Sequence, residues 1–257
     1  MLIFLVLVAF SFTAVAESSI ILDGNYQGKN LYVQNPFASS GVGFCTYEVT
    51  VNGQKTTDEI NSSAFEIDFE SLDIKLGDKV RVEIKHKDDC KPKVLNPQAI
   101  KPKSTFDVIA IKVDDNGTLS WETKNEIGKL PYVIEQFRWN KWVKVGELEG
   151  NGSISLNKYD FKIMPHFGVN QFRVKQVDAS REARYSQTVR YRSPLVQKIE
   201  YKISKSTINF TNETMYEVYN KFGEIVKKGY GSNIDISSFE KGNYYLNYDN
   251  SMDEFKK

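Results

Sequence analysis

Histidine, cysteine and tryptophan are scarce in this chain: its 257 residues hold two, two and three of them. Two imidazoles leave no room for a multi-histidine metal site, and nothing else points to a cofactor or a bound metal. Charge of one sign is missing as well. Lys and Arg number 34 against 33 Asp and Glu, so the net charge of +1 supplies no global field to attract a nucleic acid. Beyond the first sixteen residues no long apolar run remains for a membrane helix. What is present is 40% hydrophobic residues, with 16 Phe and 14 Tyr, and 16 Gly for turns. That is too apolar for a disordered chain and suits half-buried pleated surfaces.

The one apolar run, Met1–Ala16, closes with Ala14 and Ala16 before the polar Glu17-Ser18-Ser19. It reads as a secretory leader with cleavage after Ala16, although no Lys or Arg precedes it. The alternative is a retained N-terminal strand or anchor. Export agrees with the cysteines: Cys45 and Cys90 are expected to pair in an oxidising compartment, the alternative being two free buried thiols.

Periodicity is two nearly everywhere, and no stretch keeps a helical period. Tyr47, Val49 and Val51 run into Asn52-Gly53, a dipeptide that favours a type I′ hairpin turn. Ile109, Ile111 and Val113 lead through Asp115-Asn116-Gly117 to Leu119 and Trp121. Short strands with frequent turn signals predict an all-β fold of tandem Ig-like or fibronectin III-like antiparallel β-sandwiches. The Pro-rich stretch Lys91–Lys103 reads as an extended connection, and Ser193-Pro194 as a second boundary. The expected organisation is a leader at 1–16, then sandwiches at 17–102, 103–193 and 194–257.

Two of these blocks resemble known modules. Trp121, Ile134-Glu135, Trp142 to Gly152, Phe172-Arg173-Val174-Lys175-Gln176-Val177-Asp178 and Tyr185-Ser186 are similar to the fibronectin III-like module that often precedes the sorting domain of secreted Bacteroidetes proteins. Phe172 stands where that pattern usually has Tyr, so the hydroxyl of a tyrosine corner is missing. Tyr216–Val226, Asn233–Phe239, Lys241–Leu246 and Phe255-Lys256-Lys257 resemble the type A C-terminal sorting domain of the type IX secretion system. The resemblance implies an Ig-like module recognised through strands carrying Tyr219, Gly223, Gly242 and Tyr244, and through the Lys256-Lys257 end. Gly223 is placed at a tight hairpin, and Gly242 is expected at positive φ. The first block looks like the N-terminal part of small sorting-domain proteins, among them PorA-like accessory components of the secretion apparatus.

No constellation for catalysis is found. The sequence has no G-x-S-x-G, no H-E-x-x-H and no phosphate-cradling glycine loop. His86 near Cys90 reads as a solvated strand end rather than a nucleophile pair, and His166 as part of a turn. Between Lys79 and Lys103, eight Lys and Arg face three acids. Of these, Lys85, Lys87, Lys91 and Lys93 are candidate contacts for an anionic surface glycan or lipopolysaccharide, the alternative being a solvated edge that discourages strand pairing. Trp139 and Trp142, in Phe-Arg-Trp-Asn-Lys-Trp, are a candidate glycan or protein contact, unless one fills the core and the other covers it. The sequence thus points to an exported, non-enzymatic protein: periplasmic in transit, then at the cell surface or outside. Its expected partner is the outer-membrane type IX machinery, and the competing reading is an adhesin or glycan-binding module.

Overall fold

The computed structural model describes residues 18–257. The leader expectation, including cleavage at Ala16, lies outside the described residues. The chain divides into two compact units, the first ending at Lys101 and the second spanning Pro102–Lys257.

In the first unit, alternating apolar residues build β1 (Ser19–Asn25), β2 (Leu31–Gln34), β3 (Thr46–Val51), β4 (Gln54–Lys55), β5 (Ala64–Ile67), β6 (Lys79–His86) and β7 (Lys93–Val94). They form antiparallel sheets in the orders β1-β6-β3-β4 and β5-β2-β7. The inward residues Leu31, Val33, Val49, Ile67, Val82 and Ile84 meet in one core. Asn52 and Gly53 both take positive φ, as a type I′ turn requires. The Pro-rich stretch is not a free connection. Lys93–Val94 pairs with β2, and Pro97–Ile100 is a 3₁₀ turn that buries Ala99 and Ile100 in the core. A two-residue strand is too short to show a period, so only its prolines were legible. Gly24 is obligatory beneath this turn, because a Cβ there would lie 2.1 Å from the Ile100 carbonyl oxygen.

The second unit holds two hydrophobic clusters. Its first part comprises β8 (Asp107–Val113), β9 (Thr118–Lys124), β10 (Pro131–Arg138), β11 (Lys141–Glu149), β12 (Asn157–Lys162), β13 (Asn170–Val177), β14 (Ala183–Tyr185) and β15 (Val189–Tyr191). Sheets β11-β10-β13-β14, with β15 also on β13, and β12-β9-β8 enclose Leu119, Trp121, Tyr132, Ile134, Phe172 and Val174. Its second part comprises β16 (Tyr201–Ser204), β17 (Thr207–Tyr219), β18 (Ile225–Asp235), β19 (Asn243–Tyr248) and β20 (Ser251–Lys256). All pair in one sheet, in the order β16-β17-β19-β20 with β18 on β17. The pairing of β17 with β18 shifts register between Asn209 and Thr214, and the two halves of β17 have different second partners, β16 and β19. One long strand thereby joins both halves of the sheet around Ile208, Val218, Ile234 and Leu246. The protein is all-β: among the described residues there is no α-helix, and no helix is long and apolar enough to cross a membrane.

Candidate functional site

At one end of the terminal strands the pattern residues converge. Asn220 to Glu224 close the β17–β18 hairpin, with Gly223 at φ 78° and its N–H donating to the Asn220 carbonyl at 3.0 Å. Gly242 faces Lys257, each N–H donating to the other's carbonyl. It does not adopt the expected positive φ. Here glycine extends the β19–β20 ladder by one pair instead of turning the chain. A groove of about 400 Å³ opens between the two segments, lined by Lys221, Phe222, Phe239, Lys241, Gly242 and Tyr244. Phe222 is 74% exposed at its rim, whereas Tyr244 is only 8% exposed. The Tyr244 ring stacks between Phe239 and Phe255 and its hydroxyl donates to the Glu240 carbonyl, so it shapes the groove from beneath. Lys256 pairs with Asn243 at the same end.

Tyr219, the last residue of β17 beside the β17–β18 turn, directs its hydroxyl to the β10–β11 hairpin, which carries Trp139. Trp139 and Asn140, both at positive φ, form the two-residue tip of the β10–β11 hairpin, and this tip packs against the β19–β20 turn. Trp139 is 6% exposed, which removes it as a surface contact. Beside it Lys141 donates to Glu217 Oε2 at 2.6 Å and to the Tyr219 hydroxyl at 2.8 Å, so Tyr219 is engaged within the chain. Burial opposes the Lys141 charge, but Glu217 and Tyr219 outweigh it and hold its pKa above the usual lysine value.

The grip of this junction is Arg138, 3% exposed. Its Nε donates to Gln136 Oε1 at 2.6 Å, Nη1 to the Asp249 carbonyl at 2.9 Å and Nη2 to the Met164 carbonyl at 2.8 Å. Burial lowers its pKa to about 10, opposed by Asp249 and Tyr230. The Asp249 carboxylate in turn accepts from the Phe167 N–H. His166 is buried next to this network, with Nδ1 2.7 Å from the Phe167 carbonyl. Burial depresses its pKa and Arg138 adds to the effect, while the Phe167 carbonyl and Asp249 oppose it.

Trp142 remains half-buried, but its ring is occupied. Arg173 lies 4.1 Å above it and 4.2 Å from Tyr185, and Phe137 meets it edge-on. Arg173 and Lys175 both pair with the buried Glu135. A sugar ring would have to displace this stack.

Glu126 is a buried group that the sequence reading passed over. It is 2% exposed and accepts from the hydroxyls of Tyr132 at 2.9 Å, Tyr159 at 2.8 Å and Thr123, and from the Gly152 N–H at 2.9 Å. Burial and the neighbouring carboxylate push both phenols above the usual tyrosine range. Gly152 sits at φ 70°, where a Cβ would lie 2.6 Å from Gly128 backbone, so the two loops touch main chain to main chain. The arrangement pins loops.

In the first unit Cys45 and Cys90 are joined, with Cα atoms 5.8 Å apart. A disulfide persists in oxidising surroundings, which fits an extracellular protein. His86 is buried, not solvated, and its Nδ1 faces the Lys87 carbonyl at 2.9 Å. Along the basic run, Lys85 pairs with Glu48, Arg81 with Asp23, and Lys87 donates to the Val42 carbonyl. Lys91 and Lys93 are exposed and make no ion pair among the described residues.

No protein-family model and no curated protein matches the chain. Among solved structures it is similar to the FN1–FN3 domains of chicken CNTN1, at 9% identity and TM-score 0.26, covering 95% of this chain and 96% of that one. It is also similar to a tetra-tandem repeat from the extending region of a large adhesion protein, at 11% identity and TM-score 0.30, covering 94% and 74%. A third likeness is to dimeric latent PorU from Porphyromonas gingivalis, at 8% identity and TM-score 0.24, covering 94% and 31%. At such scores nothing about activity or partner follows from them.

Proposed function

We propose that this is an exported, non-enzymatic surface protein whose last module, residues 194–257, is a type IX sorting domain. The carrying observation is the convergence of Gly223, Gly242, Lys256 and Lys257, with Tyr244 beneath them, at one end of the terminal strands. The opposite end of β19, at Asp249, is engaged by Arg138, so the pattern end is the one left accessible for recognition. A protein machine reading a folded module needs such a fixed display. In this reading the outer-membrane type IX machinery is the partner, and the protein passes through the periplasm to the cell surface. The preceding modules then serve the secretion apparatus or its signalling.

The test is deletion of residues 194–257, paired with the double substitution Phe222→Ser/Lys241→Glu in the intact chain. Both are expected to leave the protein in the periplasm, while the wild type reaches the surface. Undiminished export of the deletion overturns the proposal. For the accessory role, deleting the gene is expected to reduce export of other sorting-domain proteins, and an unchanged secretome excludes it.

A further inference from the structure

The Pro36–Phe44 segment of the first unit is a stiff finger. Phe37 and Phe44 face each other across a β-bridge with ring centroids 4.4 Å apart. Inside the loop the Ala38 N–H donates to the Gly43 carbonyl and the Gly41 N–H to the Ala38 carbonyl. Gly41 and Gly43 supply the positive φ angles it needs. Its base is fixed three ways. The Cys45 N–H donates to the Pro36 carbonyl, and Cys45 is bonded to Cys90. The fully buried Asn35 binds the carbonyls of Ile60 and Ser62 and the Thr46 N–H. The side is tied to the next loop, with Lys87 Nζ donating to the Val42 carbonyl, Ser39 Oγ to the Asp89 carbonyl and the Ser40 N–H to the Asp89 carboxylate.

All of this bracing holds apolar side chains out in water: Phe37 is 63% exposed and Val42 74%. Cations stand at the base and along the side. Lys91 directly follows the bridged Cys90, Lys93 pairs with Gln34 beside the finger's root, and Lys87 lies against Gly43. The acids nearby are Asp88, which accepts from Ser18, and Asp89, turned into the loop.

We infer that this finger inserts Phe37 and Val42 into the interface of an anionic lipid bilayer while Lys87, Lys91 and Lys93 meet the headgroup phosphates. Two features favour a lipid surface over a protein. Two exposed apolar side chains, Phe37 and Val42, offer far less area than the roughly 800 Å² that each partner buries in a stable protein interface. A short apolar tip flanked by lysines has the chemistry of interfacial anchoring, in which shallow apolar insertion adds to attraction by an anionic leaflet. Because the finger is already ordered, insertion costs little conformational entropy. The inference does not depend on the sorting-domain reading.

The experiment is vesicle flotation with the disulfide-bonded chain beginning at Glu17, so that the apolar Met1–Ala16 run contributes nothing. Vesicles of phosphatidylglycerol with phosphatidylcholine are compared with phosphatidylcholine alone. Binding is expected only to the anionic vesicles and is expected to weaken as salt rises. Phe37→Ser/Val42→Ser is expected to lower it about tenfold, and each of Lys91→Gln and Lys93→Gln about fivefold. These side chains are exposed, so an unchanged near-ultraviolet circular dichroism spectrum certifies the fold of each variant. No flotation with anionic vesicles, equal flotation with both compositions, or full binding by the Phe37/Val42 variant overturns the inference.

Discussion

The two units secure their loops by different chemistry. In the first, a covalent bond between Cys45 and Cys90 ties the finger loop to the loop after β6. The second has no cysteine and places charge inside instead: Glu126 among tyrosine hydroxyls, Glu135 under Arg173 and Lys175, and Arg138 across backbone carbonyls. The covalent staple acts mainly by restricting the unfolded chain and is indifferent to water. The buried ions act in the folded state, where each must keep every partner to offset its desolvation. The first unit should therefore answer to reductant, and the second to truncation of single polar groups and to pH.

The largest effect expected is on the first unit. Opening the 45-residue separation between the cysteines with Cys45→Ser/Cys90→Ser should cost about 4 kcal/mol. Denaturant titration should show the loss in that unit's transition and leave the second unit's midpoint in place. A shift of both midpoints would break the comparison. Next is Glu126→Ala, which strands two tyrosine hydroxyls, Thr123 and the Gly152 N–H in a buried site. A loss of about 3 kcal/mol is expected in the second transition alone. Glu126→Gln, which still accepts at one oxygen, should recover part of it.

Arg138→Met comes third. It frees the carbonyls of Met164 and Asp249 and should cost about 2 kcal/mol. It should also speed proteolysis in the segment 193–200 that connects β15 to β16. Cleavage no faster than in the wild type would show that Lys141 with Glu217 and Tyr219 is sufficient to hold the junction.

The smallest effect concerns pH. His166 has a folded pKa depressed below the ordinary histidine value of about 6.5, mainly by burial. Its unfolded form therefore binds a proton first. The stability it contributes is fully present above about pH 6.5 and is lost as pH falls through that value toward the folded pKa. The second transition should weaken on acidification, and His166→Gln should flatten that slope while the first transition stays unaffected. An identical slope in the variant would assign the acid sensitivity to other groups.

Much of the fold was legible because burial on one sheet face leaves a period of two. Tyr132, Ile134, Gln136 and Arg138 show both the reach and the limit of that rule. Their shared parity puts all four on the inner face, and the last two are polar, yet nothing local reveals that Arg138 meets carbonyls of Met164 and Asp249, 26 and 111 positions away. The same distance hid Glu126, whose Tyr159 and Gly152 partners come from later elements. For Trp139 the sequence left two readings open, a contact shared with Trp142 or a place in or over the core, because a Trp among cations looks the same in both. In the second unit another hairpin turn covers it. The reading of Gly242 failed for a simpler reason: a glycine before a strand is compatible with a turn and with an extra ladder pair, and only the position of Lys257 decides between them.

Arg138 secures the terminal strands by their main chain. A carbonyl is common to all twenty amino acids, so the clamp is blind to which side chain stands at 164, whereas at 249 the carboxylate also accepts from the Phe167 N–H. Substitutions at 164 can accumulate without loosening the docking, provided the backbone keeps its path. Such a joint tolerates exchange of one module for a diverged copy, and chimeras joined within the segment 193–200 should inherit the attachment without redesign.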